Sequence, residues 1–192
     1  MIDRVKILDT KILSDNWYIL KKITYEFFKK DGSRHVQERE AYDRGNGATI
    51  LLYNTKNHSI ILTKQFRLPT YINGNESGML IEACAGLLDK DNPEECIRRE
   101  TEEETGYQIK AIQKAFQAYM SPGSVTEILH FFIAEYDAEM KINEGGGLES
   151  EQENIEVLEI DFQKAIEMIE KGEIMDAKTI MLIQYLQLKN IL

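Results

Sequence analysis

Asn92–Tyr107, NPEECIRRETEEETGY, is the stretch of this sequence with the most clearly marked secondary structure. Asn92 suits the N-cap of a helix, and Pro93 suits the first helical position, where a missing N–H is no loss. Gly106 suits the left-handed residue that follows the last turn of a helix. The stretch therefore predicts a helix over Pro93–Thr105.

Two glutamates of this helix have no basic residue one turn away. Arg98 and Arg99 lie four residues from glutamates on both sides, so opposite charges are expected to pair there. Glu100 and Glu104 lie four residues from each other, on the stripe of Cys96, which is expected to face inward. Buried carboxylates are costly unless they are protonated or bind a cation, and carboxylates one turn apart suit Mg²⁺. The pattern alone is equally consistent with a solvated acidic helix.

A second acidic segment, Asn143–Glu153, contains the glycines 145–147 followed by alternating carboxylates. Such a segment suits a loop that closes over a metal-bound diphosphate. Taken by itself, a solvated acidic loop is the simpler interpretation.

Composition and charge exclude some classes of protein. Hydrophobic residues make up 43% of the 192 residues, which is enough for a core, and no run approaches the roughly 18 apolar residues of a membrane helix. The beginning of the sequence has no secretory pattern, so we expect a soluble, cytoplasmic protein. The net charge of −10 argues against nucleic-acid binding and means that phosphate chemistry needs a local cation.

Mixed strands with a few helices predict an α+β or α/β fold. Aromatic and branched residues over Trp17–Phe28, a turn signal at 30–32 and a run over Arg34–Tyr42 predict a small antiparallel unit. The loop signal at 44–47 divides the chain into an N-terminal β unit, residues 1–44, and a main domain, residues 45–192. In the main domain we expect strands at Ala48–Tyr53, Ser59–Phe66, Ile112–Ala118, Ile128–Tyr136 and Ile155–Ile160, a short apolar run at Met79–Cys84, and further helices at Phe162–Lys171 and Ala177–Leu188.

Part of the chain resembles the Nudix box, whose core is G…RE-x-x-EE-x-G followed by an apolar residue. The matching residues are Ala85-Gly86, Arg99-Glu100, Glu103-Glu104 and Gly106-Tyr107. The chain departs from the pattern in the interval between Gly86 and Arg99, which is one residue short, and at Thr101, where an aliphatic residue is usual. The shortened interval precedes the helix, so it leaves the carboxylate spacing unchanged.

This resemblance implies a Nudix α/β/α sandwich with a mixed sheet and a magnesium-dependent hydrolase. Its metal ligands would be Glu100, Glu104 and the backbone carbonyl of Ala85, with Arg99 orienting Glu103.

The segment 151–155, EQENI, resembles the E-x-E-[DN]-I motif of Nudix enzymes that act on ADP-ribose and nucleotide sugars. The resemblance implies Glu153 as a further metal ligand and Glu151 as the general base, with Gln152 and Glu153 also near the substrate. Glu127 is a rival base or a substrate contact, and the sequence does not choose between Glu127 and Glu151.

Further segments are similar to the GDP-mannose pyrophosphatase subgroup of that family, namely 11–16, 42–49, 73–78, 119–123 and 130–136. In this subgroup the N-terminal unit reaches across a homodimer and helps to build the site of the other copy. The resemblance implies that Trp17 stacks on the guanine, that Arg67 contacts phosphate, and that Glu38, Arg39 and Glu40 reach the substrate from the second copy. It implies further substrate contacts at Ala85, Gly86, Leu87, Glu104, Glu127, Gln152, Glu153 and Lys178.

Three of these positions also have simpler interpretations. Trp17 could fill a core, Arg67 could be a solvated charge at a strand end, and Lys178 could lie on a helix surface.

The expected activity is magnesium-dependent hydrolysis of GDP-mannose to GMP and mannose 1-phosphate. ADP-ribose or another nucleotide sugar is the nearest alternative. A ligand-sensing module without catalysis is a second alternative, although such modules usually lack the box carboxylates that this chain retains. An acidic interaction protein is a third.

Overall fold

The computed structural model describes residues 4–88, 92–148, 150 and 153–192. The chain forms two compact units. The first contains the N-terminal residues through Asn46 together with Tyr119–Ile128, and the second contains Gly47–Ala118 and Leu129–Leu192. The predicted exchange of the N-terminal unit between two chains stays a prediction.

The first unit is built on a three-stranded antiparallel sheet in the order β1-β2-β3. The strands are β1 (Val5–Asp15), β2 (Ile19–Phe28) and β3 (Arg34–Asp43). The sequence predicted β2 and β3 with the turn between them, but not β1. Two register shifts interrupt the pairing of β1 with β2, and such bulges remove the two-residue alternation that marks a strand in a sequence.

The second unit is built on a seven-stranded mixed sheet with the path β10-β5-β4-β9-β8, in which β6 pairs with β5 and β7 with β4. The β4–β9 pair is parallel, and the β5–β10, β4–β5, β4–β7 and β5–β6 pairs are antiparallel. The strands are β4 (Gly47–Asn54), β5 (Ser59–Phe66), β6 (Met79–Glu82), β7 (Cys84–Leu87), β8 (Gln113–Tyr119), β9 (Ile128–Glu135) and β10 (Glu156–Asp161).

The helices are α1 (Leu68–Ile72), α2 (Pro93–Thr105), α3 (Phe162–Glu170) and α4 (Ala177–Leu188), with a short 3₁₀ turn at Ala138–Met140. Both α2 and α4 pack against β4. Residues 48–52 of β4 are all buried, as expected for a strand that is covered on both faces. The predicted α/β/α sandwich with a mixed sheet is therefore confirmed. Among the described helices, none has the length and apolar character needed to cross a bilayer.

The apolar run Met79–Cys84 is divided at Ala83 into β6 and β7. The backbone N–H of Ala83 donates to Thr179 Oγ1 of α4 (2.6 Å) instead of to a neighbouring strand. The chain changes partner at this point, from β5 to β4. The sequence did not indicate this division, because the contact joins residues 96 positions apart. The helix α1 was not predicted from the sequence.

Candidate active site

The ends of α2 are formed as the sequence predicts. Asn92 Oδ1 accepts the backbone N–H groups of Glu94 (3.1 Å) and Glu95 (3.0 Å). Gly106 has φ +78° and donates its N–H to the carbonyl of Glu102 (3.0 Å). Both ends are satisfied by local contacts, so the helix holds its side chains in a fixed register against the sheet.

One face of α2 is buried against the sheet, and Cys96, Ile97, Thr101 and Glu104 lie on it. Thr101 occupies a position where the Nudix pattern has an aliphatic residue. Its hydroxyl donates to the carbonyl of Ile97 (2.6 Å), so the buried oxygen has a partner within the helix. Glu104 therefore faces inward, as the stripe of residues predicts.

Glu104 is buried without a basic side chain bonded to it within the described residues. It is 2% exposed, and its Oε2 atom makes no hydrogen bond to the described part of the chain. Burial raises the pKa of Glu104 to about 8, and a hydrogen bond with the thiol of Cys84 offsets only part of this effect. The negative charges of Glu100 and Glu153 contribute to the same rise. Three predicted metal ligands therefore lie close enough to interact electrostatically.

Arg99 joins two other glutamates of the helix. Its Nη1 atom lies 2.9 Å from Glu100 Oε1 and 3.1 Å from Glu103 Oε2. The contact with Glu103 is the one that the Nudix resemblance implied. The expectation that Glu100 lacks a basic partner was wrong, because charges were counted only at four-residue spacing and the flexible arginine also reaches its sequence neighbour.

Arg98 does not form the ion pairs expected of it within the described part of α2. Its Nη1 atom donates to the backbone carbonyls of Ile109 (2.9 Å) and Lys110 (3.4 Å), beyond the end of the helix. The chain reverses after Gly106 and brings these backbone carbonyls near Arg98. They take the place of the glutamates one helical turn away as its partners.

Strand β7 carries the predicted residues Ala85, Gly86 and Leu87 beside α2. The thiol of Cys96 donates to the carbonyl of Leu87 (3.1 Å). A Cβ atom at Gly86 would overlap the carboxyl group of Glu100, so only glycine allows this glutamate to lie directly on the strand. The strand and the helix thus bring the backbone of residues 85–87 next to the carboxylates.

The glycines 145–147 attach the acidic segment to the last turn of α2. Gly146 and Gly147 donate their N–H groups to the carbonyls of Glu104 (2.9 Å) and Glu103 (3.1 Å). All three glycines have positive φ, and a Cβ atom at Gly147 would overlap the side chain of Glu153. The carboxylate of Glu153 accepts the N–H of Leu148 (3.1 Å). The glycines therefore allow close packing beside the helix, where Glu153 lies near Glu104. The predicted base Glu151 and the predicted contact Gln152 lie outside the described residues.

A buried ion network next to this region was not predicted from the sequence. Glu82 is 3% exposed; its Oε2 accepts from Arg67 Nε (2.6 Å) and its Oε1 from Lys178 Nζ (2.5 Å). Lys178 also lies 3.1 Å from Asp176. Burial opposes ionisation of Glu82, but Lys178 and Arg67 outweigh it and lower the pKa. The sequence feature that could have indicated this network is the presence of a glutamate, Glu82, inside the apolar run 79–84.

The ion network decides between the two interpretations of Lys178. Lys178 is 8% exposed, so its interpretation as a helix surface residue is wrong. Arg67 keeps 39% of its side chain exposed, while its Nε atom is held by Glu82. Their contacts with substrate stay predictions.

The remaining predicted residues lie in the first unit. Trp17 is 83% exposed, so its interpretation as core filler is wrong. Glu38, Arg39 and Glu40 are exposed on β3. Glu127 is buried, and its Oε1 lies 3.7 Å from Arg44 Nη1.

The described residues therefore assemble one acidic cluster, formed by Glu100, Glu103, Glu104 and Glu153. No three acidic, histidine or cysteine side chains in this part of the chain already surround a common point at ligand distance. The cluster is a set of nearby oxygen donors, one of which is buried without a hydrogen bond. Oxygen donors of this kind suit a hard divalent cation better than a soft one.

Comparison with known families and proteins agrees with this geometry. Residues 43–180 match the NUDIX domain, and residues 4–42 match the GDP-mannose pyrophosphatase NudK N-terminal domain. The chain belongs to the NUDIX family. The family predicted from the box residues is thus confirmed, and its carboxylates lie on the helix where the NUDIX pattern places them.

Curated relatives match this NUDIX chain from end to end. Proteins named GDP-mannose pyrophosphatase from Escherichia coli (strain K12), Shigella flexneri and Shigella dysenteriae serotype 1 (strain Sd197) are each 55% identical over 192 residues, which is 100% of both chains. A crystal structure of an ADP compounds hydrolase has a TM-score of 0.73 at 17% identity and covers 97% of this chain and 94% of its own. That likeness supports the fold.

Proposed function

We propose that this NUDIX chain is a magnesium-dependent hydrolase that cleaves GDP-mannose to GMP and mannose 1-phosphate. The observation that carries the proposal is the carboxylate of Glu104, which is buried without a basic partner within the described residues and lies one turn from Glu100 and near Glu153. A bound cation would relieve the cost of this arrangement. The substrate is proposed from the relatives that match over the full chain and carry that name.

The residues present fit Mg²⁺. The proposed ligands are the carboxylates of Glu100, Glu104 and Glu153 and the backbone carbonyl of Ala85, all of them the oxygen donors that Mg²⁺ prefers. The buried Oε2 atom of Glu104 makes no hydrogen bond in the described part of the chain, so it retains its capacity to accept one. The overlap that a side chain at Gly86 would produce with Glu100 supports the same location.

When bound, Mg²⁺ neutralises charge on the phosphoryl oxygens and makes an attacking water easier to deprotonate. The chain contributes the remaining functions. Arg99 holds Glu100 and Glu103 in fixed orientations through its two ion pairs. Glu127 or Glu151 accepts the proton of the water, and both remain candidates. Arg67 donates to a phosphate oxygen with the part of its guanidinium that Glu82 leaves free.

Recognition of the sugar nucleotide is proposed for the N-terminal sheet. Trp17 is exposed and available for stacking on guanine, and Glu38, Arg39 and Glu40 are exposed for contact with the site of a second copy. Gly86, Leu87, Gln152 and Lys178 complete the proposed substrate contacts.

We further propose that the chain forms a homodimer. Five apolar side chains of β1 are exposed, namely Val5, Ile7, Leu8, Ile12 and Leu13, and an apolar surface of this kind is usual at a subunit interface. Light scattering coupled to size exclusion measures the mass directly. A monomer at micromolar concentration would contradict the dimer.

A cytoplasmic location is also proposed. Cys84 and Cys96 are both free thiols within the described structure, as expected in a reducing compartment.

The test of the proposed activity is incubation of the purified chain with GDP-mannose, with and without Mg²⁺, followed by detection of GMP and mannose 1-phosphate. ADP-ribose and ADP-glucose serve as alternative substrates in the same assay. The Glu153→Gln variant tests one proposed ligand, because it keeps the size of the side chain and removes its charge. Near-normal turnover by this variant would refute the role of Glu153, and absence of GMP from the wild type would refute the proposed function.

A further inference from the structure

One carboxylate joins the two basic residues proposed to meet the substrate. Arg67 follows β5, and Lys178 lies in the first turn of α4, so neither is near the other in sequence. Glu82, at the end of β6, accepts from Arg67 Nε with one oxygen (2.6 Å) and from Lys178 Nζ with the other (2.5 Å). Because each oxygen has one donor, the carboxylate fixes the separation and orientation of the two cations.

The surrounding contacts make this arrangement rigid. Asp176 lies 3.1 Å from Lys178 and also accepts the backbone N–H of Thr179 (3.0 Å). The hydroxyl of Thr179 accepts the N–H of Ala83 (2.6 Å), which immediately follows Glu82. The start of α4 is therefore attached to the chain two residues before Ala85, a proposed metal ligand.

The network is electrically balanced and lies beside the acidic cluster. Glu82 and Asp176 offset Arg67 and Lys178, so the four groups together add no net charge that would attract an anion. Arg67 nevertheless experiences the charge of Glu104, which places its guanidinium near the proposed metal site. The part of Arg67 beyond Nε makes no hydrogen bond to the described residues, and the side chain is 39% exposed.

Stability alone does not account for such a network. A buried ion pair gains little over well-packed apolar residues, because desolvation of the charges offsets their attraction. The network leaves the guanidinium of Arg67 partly exposed beside the proposed reaction site. Such an arrangement suits the orientation of this guanidinium better than it suits stabilisation of the fold.

We propose that Glu82 is a positioning residue, whose carboxylate holds Arg67 and Lys178 so that they meet the diphosphate of the substrate beside the metal-binding carboxylates. This inference rests on the proposed function. Glu82 itself contacts neither substrate nor metal, and it acts through the two basic side chains.

The kinetic test uses Glu82→Gln, which keeps the size of the side chain and removes its charge. We expect kcat/KM for GDP-mannose to fall by about 10- to 100-fold, as is common for residues that orient direct ligands. The matched control is Glu159→Gln, since Glu159 also accepts two side-chain hydrogen bonds, from Ser59 and Tyr136, but contacts neither Arg67 nor Lys178. Its kcat/KM should stay close to that of the wild type. Unchanged kcat/KM in Glu82→Gln would overturn the proposal.

Two further measurements separate positioning from other roles. When added to an Arg67→Ala/Lys178→Ala background, Glu82→Gln should cause little further loss, because the residues act as one unit. An equal loss in both backgrounds would overturn the proposal. Calorimetric titration with Mg²⁺ alone should give the same affinity for Glu82→Gln and wild type. Weaker Mg²⁺ binding would make Glu82 a part of the metal site and overturn its role as a positioning residue.

Failure of the proposed function is recognised separately. If the wild type releases no GMP, the activity is refuted, and the positioning role is then tested with methylenediphosphonate, a diphosphate analogue that is not hydrolysed, in the presence of Mg²⁺. We expect about tenfold weaker binding by Glu82→Gln than by wild type. Equal binding, or no binding by either protein, would overturn the inference.

Discussion

Two glutamates of the second unit are almost equally buried but differ in their electrostatic surroundings. Glu82 is 3% exposed and Glu104 is 2% exposed. Each oxygen of Glu82 bonds to a cationic side chain, and its pKa is lowered despite burial. Glu104 has no such bond within the described residues, and burial raises its pKa to about 8.

The difference separates a buried charge that the chain itself compensates from one that it leaves without a bonded cation among the described residues. A carboxylate out of water needs a compensating charge or a proton. The chain supplies this charge to Glu82 from Arg67 and Lys178. It supplies none to Glu104 by direct bonding among the described side chains, and such uncompensated groups are characteristic of functional sites.

The largest expected effect is that of Glu104→Gln. Loss of this carboxylate should lower turnover by about 10²- to 10³-fold, because charge stabilisation at the diphosphate is lost. In the absence of metal, the same change should raise the free energy of unfolding at pH 8, since a neutral amide costs less to bury than a carboxylate. Steady-state kinetics and urea unfolding in EDTA measure the two effects. Wild-type turnover, or lower stability in EDTA, would remove the contrast between the two glutamates.

Glu82→Ala should act in the opposite direction on stability. Removal of a buried partner leaves Arg67 and Lys178 without compensation, which costs about 3–5 kcal/mol. Urea unfolding of wild type and variant at pH 7 gives the difference. A loss below about 1 kcal/mol, the value typical of a surface ion pair, would show that water reaches the network.

The two glutamates should also respond oppositely to pH. The pKa of Glu104 is about 8 in the folded chain and 4.5 as its ordinary value, so the folded state binds the extra proton between these values. Its contribution therefore favours folding at low pH and is lost as the pH rises. Without metal, this group should lower the free energy of unfolding by about 3 kcal/mol between pH 5 and pH 8.

The control is Glu104→Gln, which lacks the titrating carboxyl group. The free energy of unfolding of wild type and variant is measured in EDTA at both pH values, and the two are compared. A difference that does not change between pH 5 and pH 8 would contradict the raised pKa. Glu82 has a lowered pKa, so its stabilising contribution is present above its ordinary value and is lost only as the pH falls through the folded value.

The smallest expected effects concern the glycines. Gly147 (φ +81°) and Gly172 (φ +73°) have similar backbone conformations, but an added Cβ atom meets the Glu153 side chain at Gly147 and nothing within 4 Å at Gly172. Alanine should cost about 1 kcal/mol at either position through the left-handed backbone. Only Gly147→Ala should also reduce kcat/KM, by about tenfold, since Glu153 is displaced. Equal kinetics for the two variants would separate Glu153 from the reaction.

Local features made much of this fold predictable. The bounds of α2 follow from Asn92, Pro93 and Gly106, which act within one turn of the helix ends. The strand Ser59–Phe66 and the helix Ala177–Leu188 were also predicted at their observed bounds. In each case the sequence pattern and the fold favour the same local structure.

Features that depend on distant contacts were missed. The irregular pairing of β1 conceals its alternation, and the partner change at Ala83 depends on Thr179. The charge pattern of α2 suggested correctly that Glu104 faces inward without a basic partner, but missed the ion pair of Glu100 with Arg99. Counting opposite charges at four-residue spacing does not show where a flexible arginine side chain reaches.

The sequence by itself determined the helix α2, its carboxylate spacing and the family, because these depend on residues within a few positions of one another. Only the tertiary structure decided that Glu82 has two cations and that Glu104 has none bonded to it among the described residues. Arg67, Glu82 and Lys178 come from three separate elements, and the packing of α4 beside the end of β6 brings them together. Compensation of a buried charge depends on distances in space, which sequence separation does not encode.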